Sequence, residues 1–326
     1  MKYLKQYTAA DLLDFFTPRE GEVKLGQTVN LALEGIAQAE GEFVLIGIPE
    51  DIGPRANFGN IGAYNAWEAF LCKFLSMQSN EFLSGENIIL GGAIKLDDLQ
   101  LKAHKASISE LRILIEMIDL RVQAVVEEII ESGKTPIVIG GGHNNCYPII
   151  NSFDSAIDVL NIDPHADLRE LEGRHSGNGF SYALENNQID KYFVLGLHEE
   201  YNSEFILNKF KENKKLQFLS FNQIIQESLS EETLIKTVKS HLNKEKIGLE
   251  LDMDSVKNMP VSAFTPVGFS EEEIRKLLFS LSNQYKFHYF HLCEGAPTNE
   301  LEKNIVGKTI AYFVSDFIKL NSKFSG

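Results

Sequence analysis

The chain has little of what disulfide-rich and membrane proteins contain. Its 326 residues include only three cysteines, Cys72, Cys146 and Cys293, an odd number at wide spacing. This pattern indicates reduced thiols rather than a disulfide framework. No apolar run approaches the length of a transmembrane helix, and the N-terminus lacks the apolar core of a signal peptide. We therefore expect a cytoplasmic protein that has no membrane partner.

Positive charge is also scarce in this sequence. Lysine and arginine number 31 against 46 acidic residues, which gives a net charge of -15. Such a surface argues against binding to nucleic acid or to an anionic membrane. It does not exclude an anionic small substrate, because a local cationic pocket can override the field of the whole protein.

Short apolar runs recur along the chain and do not alternate with polar residues, which is typical of strands buried on both faces of a parallel sheet. The runs are Phe43–Ile48, Ile88–Leu90, Pro136–Ile139, Asp158–Ile162, Tyr192–Leu197, Leu216–Phe221, Ile247–Leu251 and Phe287–Leu292. Helical patterns lie between them, most clearly from Ser107 to Ser132. The alternation predicts a doubly wound α/β sheet with helices on both faces, and we expect one compact domain.

Two polar motifs follow two of these runs. Asp163-Pro-His165-Ala-Asp167 comes after one run, and Asp252-Met-Asp254 after another. Residues at i, i+2 and i+4 of an extended segment point the same way, so each set can converge on one point. Carboxylates and imidazole without thiolate suit a hard divalent ion such as manganese. Four carboxylates exceed what one ion needs, so we predict a two-metal site; a polar turn with a helix N-cap would explain only one aspartate.

His143 is a further candidate ligand, directly after Gly140-Gly-Gly142 at the end of another predicted strand. A single histidine after glycines is more often a turn residue, but here it accompanies five other ligand-type residues. Near the second motif, Glu250, Asp252 and Asp254 would place like charges together at the end of a buried strand. Their repulsion requires a cation or raised pKa values.

Glu294 follows the last predicted strand, three residues before Pro297. A carboxylate there can hold the cationic head of an amidine or guanidine through paired hydrogen bonds. On sequence alone, an acid in a surface loop is an equally good interpretation.

Taken in order, these motifs resemble the ureohydrolase superfamily of arginase, agmatinase and formimidoylglutamase. They are Gly-Gly-x-His, Asp-x-His-x-Asp, Asp-x-Asp and a late Glu-x-x-Pro, and the likeness runs from Phe43 to the C-terminus. It implies a three-layer α/β/α fold with a mainly parallel sheet of about eight strands, which agrees with the runs counted above. It also implies a single domain over residues 1–326, with residues 1–40 as an N-terminal extension packed on it, and a homo-oligomer.

The resemblance further implies a cofactor and a mechanism. Two divalent ions, manganese in this family, would be bridged by a hydroxide that attacks the carbon of the substrate amidine. Asp163 and Asp252 match the bridging positions, and Glu294 matches the position that holds the substrate head group. The implied ligands are His143, Asp163, His165, Asp167, Asp252 and Asp254.

Residues just after Asp167 bear on the substrate. Arg169, in Asp167-Leu-Arg, resembles the formimidoylglutamases, whose substrate carries two carboxylates that a guanidinium can pair with. A surface position or a structural ion pair is an alternative for this arginine. Arg55, which we also assign to substrate binding, lies in a segment similar to an early substrate-side loop of the family, in which Asn60 replaces a usual arginine.

A second clue is the loop that contains His175, Ser176 and Asn178. Arginases and agmatinases have a proton-shuttling histidine in the column of Ser176, whereas formimidoylglutamases have serine. His175, one residue earlier, is a candidate for a displaced shuttle because its ordinary pKa suits acid–base work near neutrality; it could instead line the cavity mouth. We also assign Ser176 and Asn178 to substrate binding.

The sequence departs from the family pattern at several places. Gly142 stands where an aspartate is usual, and Glu250 stands where a small polar residue is usual. Lys257-Asn258 and Gly295-Ala296 replace other usual pairs. These departures indicate a divergent branch of the superfamily.

The resulting prediction is a metal-dependent hydrolase of a linear amidine, with N-formimidoyl-L-glutamate, a compound of histidine breakdown, converted to glutamate and formamide. One alternative is a guanidino substrate, such as agmatine, that releases urea. Another is a metal-binding member of the fold without hydrolase activity.

Overall fold

The computed structural model describes residues 2–243 and 245–322. Ten strands in this part of the chain form one sheet. They are β1 (Leu4–Lys5), β2 (Asn30–Leu31), β3 (Phe43–Gly47), β4 (Ile88–Ile94), β5 (Thr135–Ile139), β6 (Ile157–Ile162), β7 (Ile189–Leu197), β8 (Leu216–Ser220), β9 (Ile247–Asp252) and β10 (Phe287–Cys293).

The sheet is parallel apart from one edge. Its order is β1-β4-β3-β5-β10-β9-β6-β7-β8, with β2 paired to β4 off this path. Only the pairing of β1 with β4 is antiparallel among these strands. The eight longer strands overlap the eight apolar runs, so the predicted α/β fold is confirmed. The two extra strands have two residues each, too few to show a pattern in the sequence.

Twelve α-helices accompany the sheet in the described ranges. They are α1 (Leu25–Thr28), α2 (Ile52–Ala56), α3 (Ala66–Phe74), α4 (Asp97–Ala103), α5 (Ile108–Glu131), α6 (Cys146–Ile150), α7 (Gly179–Glu185), α8 (Glu204–Glu212), α9 (Phe221–Gln226), α10 (Glu231–His241), α11 (Glu271–Ser282) and α12 (Glu300–Asn321).

The longest helix, α5, begins where the sequence predicted it. Ser107 and Glu110 form a capping box, in which each side chain accepts a hydrogen bond from the other's backbone N–H, and this satisfies two donors at the helix start. The buried residues Leu111, Ile115 and Ile118 recur at helical spacing and face the sheet layer.

Both faces of the sheet are covered. In β3, Phe43 and Leu45 join one hydrophobic cluster, whereas Val44 and Ile46 join the other. The first cluster takes in α3, α11 and α12, and the second takes in α5, α6 and α7. Strands buried on both sides need apolar side chains at successive positions, which explains the unbroken apolar runs.

The segment before β3 packs against this body. β1 extends the sheet at the edge strand β4, and Leu12 and Phe16 join the first hydrophobic cluster. Trp67 in α3 donates a hydrogen bond of 2.9 Å from its indole N–H to the Tyr7 hydroxyl. In the described ranges, no helix combines the length and the apolar character needed to cross a bilayer.

Four adjacent central strands position the polar motifs. β5, β10, β9 and β6 are neighbours in that order, and all four are parallel. Their carboxyl ends therefore meet at one edge, where ligand crevices form in open α/β sheets.

Candidate metal centre

A tight turn after β5 delivers His143 to this edge. Gly140 and Gly141 have positive φ angles of 88° and 74°, which glycine adopts without the cost that other residues pay. A Cβ atom on Gly141 would lie 2.9 Å from Glu50 Oε1 and 2.4 Å from Asn145 Nδ2. The turn therefore requires glycine, and it leaves the His143 ring fully buried.

Three carboxylates surround one nitrogen of His143. Its Nδ1 lies 3.1 Å from Asp163 Oδ2, 3.0 Å from Asp167 Oδ2 and 3.1 Å from Asp252 Oδ2. All four ligand atoms lie within 4.8 Å of one another. Ligands at about 2.1 Å in octahedral geometry lie about 3 Å from their neighbours, so the spacing fits one divalent ion.

A second, wider-spaced set of candidate ligands lies beside the first and shares Asp163. His165 Nδ1 is 3.5 Å from Asp163 Oδ1 and 3.8 Å from Asp254 Oδ2. The two oxygens of Asp163 thus face different histidines, which is the arrangement that a carboxylate bridging two ions requires. Carboxylate and imidazole donors without thiolate fit a hard ion.

Crowding and burial raise the pKa values of two of these carboxyl groups. Burial and the charge of Asp163 raise the pKa of Asp252 to about 7. Burial and Asp252 raise the pKa of Asp254 well above its usual range. Burial opposes the ionisation of Asp163, but His143 and His165 lower its pKa. The sequence predicted that Glu250, Asp252 and Asp254 need a cation or raised pKa values. The pKa is raised at Asp252 and Asp254, whereas His291 and His143 lower the pKa of Glu250 to about 2 despite its burial.

Two acidic residues of the site adopt a strained backbone. Asp167 has φ 49° and Glu294 has φ 61°, a region that costs non-glycine residues about 1–3 kcal/mol. Both side chains line the same cavity. The surrounding fold therefore holds them where they are, against their local preference.

Glu294 occupies the position that the sequence motif indicated. Its Oε1 accepts a hydrogen bond of 2.6 Å from the His143 backbone N–H. Its Oε2 is buried and has no hydrogen-bond partner among the described residues. Burial, together with the charge of Asp252, raises its pKa to about 8. An unpartnered carboxylate oxygen in a cavity can receive a cationic N–H group.

Glu50, a buried carboxylate from the segment after β3, holds the turn that contains Gly142. Gly142 donates its backbone N–H to Glu50 Oε1 at 2.8 Å, and Asn145 Nδ2 donates to the same atom at 2.7 Å. A Cβ atom on Gly142 would lie 2.3 Å from Pro54 Cδ, so no larger residue fits. Nothing local in the sequence links Glu50 to this turn, because 92 positions separate the partners.

The metal-ligand groups open into a cavity of about 600 Å³. Of the predicted residues, Arg169 and Ser176 line it together with five members of the acidic and histidine set. Its lining consists of Asn57, Phe58, Gly59, His165, Asp167, Arg169, Glu170, Glu172, Ser176, Gly177, Tyr201, Asn202, Ser203, Phe205, Ile206, Asp252, Asp254, Ser262, Ala263 and Glu294.

Arg169 lies at the rim of the cavity with its side chain 49% exposed, which leaves it free to reach a ligand. Its Nη2 is 3.7 Å from Glu172 Oε1, and Arg112 Nη2 also approaches Glu172 at 3.4 Å. Glu172 would therefore keep a cationic partner if Arg169 turned toward a substrate. Ser176 Oγ accepts a hydrogen bond of 3.4 Å from Asn57 Nδ2.

The structure places His175 outside the cavity lining, although the sequence offered it as a displaced proton shuttle or as a residue of the cavity mouth. The ring is fully buried, its Nδ1 accepts from Gly177 N–H at 3.1 Å, and its Nε2 lies 3.2 Å from Glu172 Oε1. Burial and the charges of Arg112 and Arg169 lower its pKa to about 4. The ring therefore holds Glu172 and Gly177, two residues of the cavity lining, and does not itself line the cavity.

Arg55 and Asn178, which we assigned to substrate binding, are also absent from the cavity lining. Arg55 Nη2 donates to the Ala103 carbonyl at 2.5 Å, at the end of α4. Asn178 is buried, and its Oδ1 accepts from Arg174 Nη1 at 3.1 Å. Each side chain contacts a neighbouring segment instead. Sequence spacing does not tell whether such a side chain turns into a cavity or away from it.

Sequence reasoning missed several residues of the cavity. Asn57 lies in a segment whose resemblance to the family had been noted, so a signal existed for it. Tyr201 and Phe205 lie at the rim with exposed fractions of 70% and 50%, and no motif marks them. Their place depends on how α8 packs beside the sheet edge.

Comparisons with known proteins identify the family and the fold. A model described as the arginase family matches residues 42–318. A formimidoylglutamase of Streptococcus pyogenes serotype M3 is 29% identical over 295 residues, covering 83% of this chain and 84% of the relative.

Two solved structures share the fold. Formimidoylglutamase from Bacillus subtilis superposes with a TM-score of 0.73 at 17% identity, covering 94% of both chains. Trypanosoma cruzi formiminoglutamase with Mn2+2 superposes with a TM-score of 0.70 at 20% identity, covering 91% of this chain and 98% of the other. At these identities the superpositions establish the architecture and leave the substrate undetermined.

Proposed function

The chain belongs to the arginase family of hydrolases, and we propose that it is a metal-dependent hydrolase with N-formimidoyl-L-glutamate as its substrate. The reaction would add water across the amidine C–N bond, releasing formamide and glutamate. The observation that carries the choice of substrate is the position of Arg169, a guanidinium in the same cavity as the ligand groups.

Glu294 would bind the other end of this substrate. A formamidine group is cationic near neutral pH, and the unpartnered Oε2 of Glu294 can accept its N–H groups. The Oε1–backbone contact with His143 fixes the carboxylate, so little ordering is needed when the substrate binds. Arg169 at the rim would then pair with a carboxylate of the substrate.

The six predicted ligands would hold two divalent ions, for which manganese is our first choice. When bound, such a pair supplies hydroxide near neutral pH by lowering the pKa of water. Asp163 and Asp252 would take the bridging positions, and buried Asn161 holds Asp163 by donating to its Oδ2 at 2.9 Å. We further propose a cytoplasmic homo-oligomer, as the resemblance implies.

A guanidino substrate is the second candidate, and one observation favours it. Glu170 and Glu172 also line the cavity, and their carboxylates would attract a substrate with a second cationic group, such as agmatine. Arg169 would repel that group. The two candidates therefore predict opposite effects when the charge at residue 169 is removed.

The test is a product-resolved assay of the manganese-loaded protein against acidic formamidines, agmatine and guanidino acids. We expect formamide from N-formimidoyl-L-glutamate as the main product. Urea as the main product would favour the guanidino alternative, and two bound metal ions without turnover of any compound would favour a non-catalytic protein.

Arg169→Ala sharpens this assay. Loss of a charge-assisted hydrogen bond should raise KM for the acidic amidine about 10- to 100-fold with little change in kcat, since such a bond contributes about 1.5–3 kcal/mol. Arg112→Ala is the matched control, because Arg112 contacts the same Glu172 without lining the cavity. An unchanged KM in Arg169→Ala would refute the acidic substrate.

A further inference from the structure

Glu250 is a further buried carboxylate, and it lies on the other side of the His143 ring from the three aspartates. Glu250, in the middle of β9, has no solvent exposure. Its Oε1 accepts a hydrogen bond of 2.7 Å from the Tyr289 hydroxyl, and its Oε2 lies 2.6 Å from His291 Nδ1. Burying a charge costs several kcal/mol unless it is well partnered, so this arrangement requires an explanation beyond packing.

The same Oε2 atom of Glu250 also faces His143. It lies 3.5 Å from His143 Nε2, the ring nitrogen on the opposite side from the three carboxylates. That nitrogen is buried and makes no hydrogen bond to another described residue. With Nδ1 directed at the ligand group, the proton of a neutral ring must sit on Nε2, where Glu250 is the nearby acceptor.

We propose that Glu250 is a positioning residue for metal binding, which fixes the tautomer and orientation of His143 and strengthens it as a ligand. A histidine that donates its second N–H to a carboxylate is a better and more rigid metal ligand. His291 on β10 lies 2.6 Å from the same Oε2 atom and holds it toward His143, so two adjacent strands support the ligand from behind.

This role also accounts for a departure in the sequence. Glu250 stands where the family usually has a small polar residue, and it precedes Asp252 by two positions on the same face of β9. β9 thus carries Asp252, a candidate ligand, at its end, and two positions earlier it carries Glu250, which supports His143. The inference rests on the metal-binding part of the proposed function and is independent of the substrate.

The test measures metal affinity rather than activity. Glu250→Gln keeps the size and an acceptor oxygen but removes the charge. Equilibrium dialysis against Mn²⁺ should show one of the two ions bound about 10- to 100-fold more weakly, while the ion held by His165 and Asp254 binds within about twofold of the unaltered protein. Glu250→Asp, which withdraws the carboxylate by one methylene, should weaken the same ion if the glutamine variant fails to fold.

Two controls separate positioning from general loosening. Tyr289→Phe removes a partner of Oε1, the oxygen that does not face His143, and should change neither affinity more than about threefold. Cys293→Ala tests the other ligand-type group near His143 and His291, and should leave both affinities unchanged.

The outcomes are distinct. Unchanged affinities in Glu250→Gln, equal weakening of both ions, or an equal effect of either control would overturn the inference. If the unaltered protein binds no manganese, the proposed function itself fails, which is a different result from normal two-ion binding in Glu250→Gln.

Discussion

Asp252 is the residue at which the two ligand groups meet. Its Oδ2 lies 3.1 Å from His143 Nδ1, and its Oδ1 accepts the Asp254 backbone N–H at 2.7 Å. One side chain therefore contacts a ligand of the first group and fixes the backbone of a ligand of the second. Asp163 also has contacts in both groups, through Oδ2 with His143 and Oδ1 with His165.

Asp252→Asn should abolish hydrolysis and release metal, because the amide has the same shape but no negative charge for two cations to share. We expect Mn²⁺ affinity to fall by about 100-fold or more, beyond the 10- to 100-fold typical of residues behind the ligands. Metal analysis and formamide release measure the two effects. Asp97→Asn, at an exposed acid, is the control, and a variant at residue 252 that keeps both properties would contradict the dinuclear site.

In the metal-free protein, the free energy of unfolding should fall as the pH rises from 7 to 9. Burial and Asp252 raise the pKa of Glu294 to about 8, and Asp163 raises that of His165 to about 9 despite burial. Both exceed the ordinary values of about 4.3 and 6.5, so the folded state binds more protons than the unfolded chain. Stability is therefore lost as pH rises through the folded values.

The measurement for this prediction is the melting temperature of chelator-treated protein at pH 7, 8 and 9. The loss should be on the order of 1–3 kcal/mol, which is a few degrees for a chain of this size, and added Mn²⁺ should flatten the curve by replacing the protons. Histidines with lowered pKa values, such as His175 at about 4, act in the opposite sense only below about pH 6.5. If the melting temperature of the metal-free protein stays constant or rises between pH 7 and 9, crowding does not raise the pKa values of these groups.

The candidate metal ligands were recognisable in the sequence, and the substrate residues only in part. The motif after β6 places Asp163, His165 and Asp167 near one another, but β6 ends at Ile162 and Asp167 has φ 49°, so alternation along an extended strand does not describe how they converge. Sequence spacing gives no direction for the side chains of His175 or Arg55, and neither residue lines the cavity.

At the scale of elements, one buried arginine ties a helix to two loops of the site. Arg174 donates to Asp119 of α5 at 2.8 Å, to the Asn144 carbonyl at 2.8 Å and to Asn178 Oδ1 at 3.1 Å. Its guanidinium also lies over the rings of Tyr147 and Tyr182. Burial raises the pKa of Asp119 to about 6 in spite of Arg174.

Arg174→Ala should destabilise the fold by about 3–5 kcal/mol, because it leaves Asp119 as an unpaired buried charge. Arg121→Ala is the matched control, since Arg121 pairs with Asp98 of α4, whose side chain is 52% exposed. That change should cost at most about 1 kcal/mol. Denaturant unfolding curves give both values, and equal costs would show that burial of the pair does not matter.

Elements with strong periodicity were predictable, and those held by tertiary contacts were not. α5 began and ended as the sequence indicated, since its cap and apolar spacing are local. The bracing by Arg174 could not be foreseen, because 55 positions separate it from Asp119.

For the whole molecule, fold and site are linked by the order of the strands. β5, β10, β9 and β6 come from distant parts of the sequence, yet they are neighbours in the sheet. The apolar runs indicate how many strands exist, but their order depends on packing that no single run encodes. Because these four strands are parallel and end at one edge, the six separated candidate ligands lie close together there.

The most direct test of the central claim is the metal content of the purified protein after loading with Mn²⁺ and removal of free ions. The account predicts two ions per chain, since His143 and His165 serve separate ligand groups joined by Asp163 and Asp252. One ion per chain, or none, would contradict it.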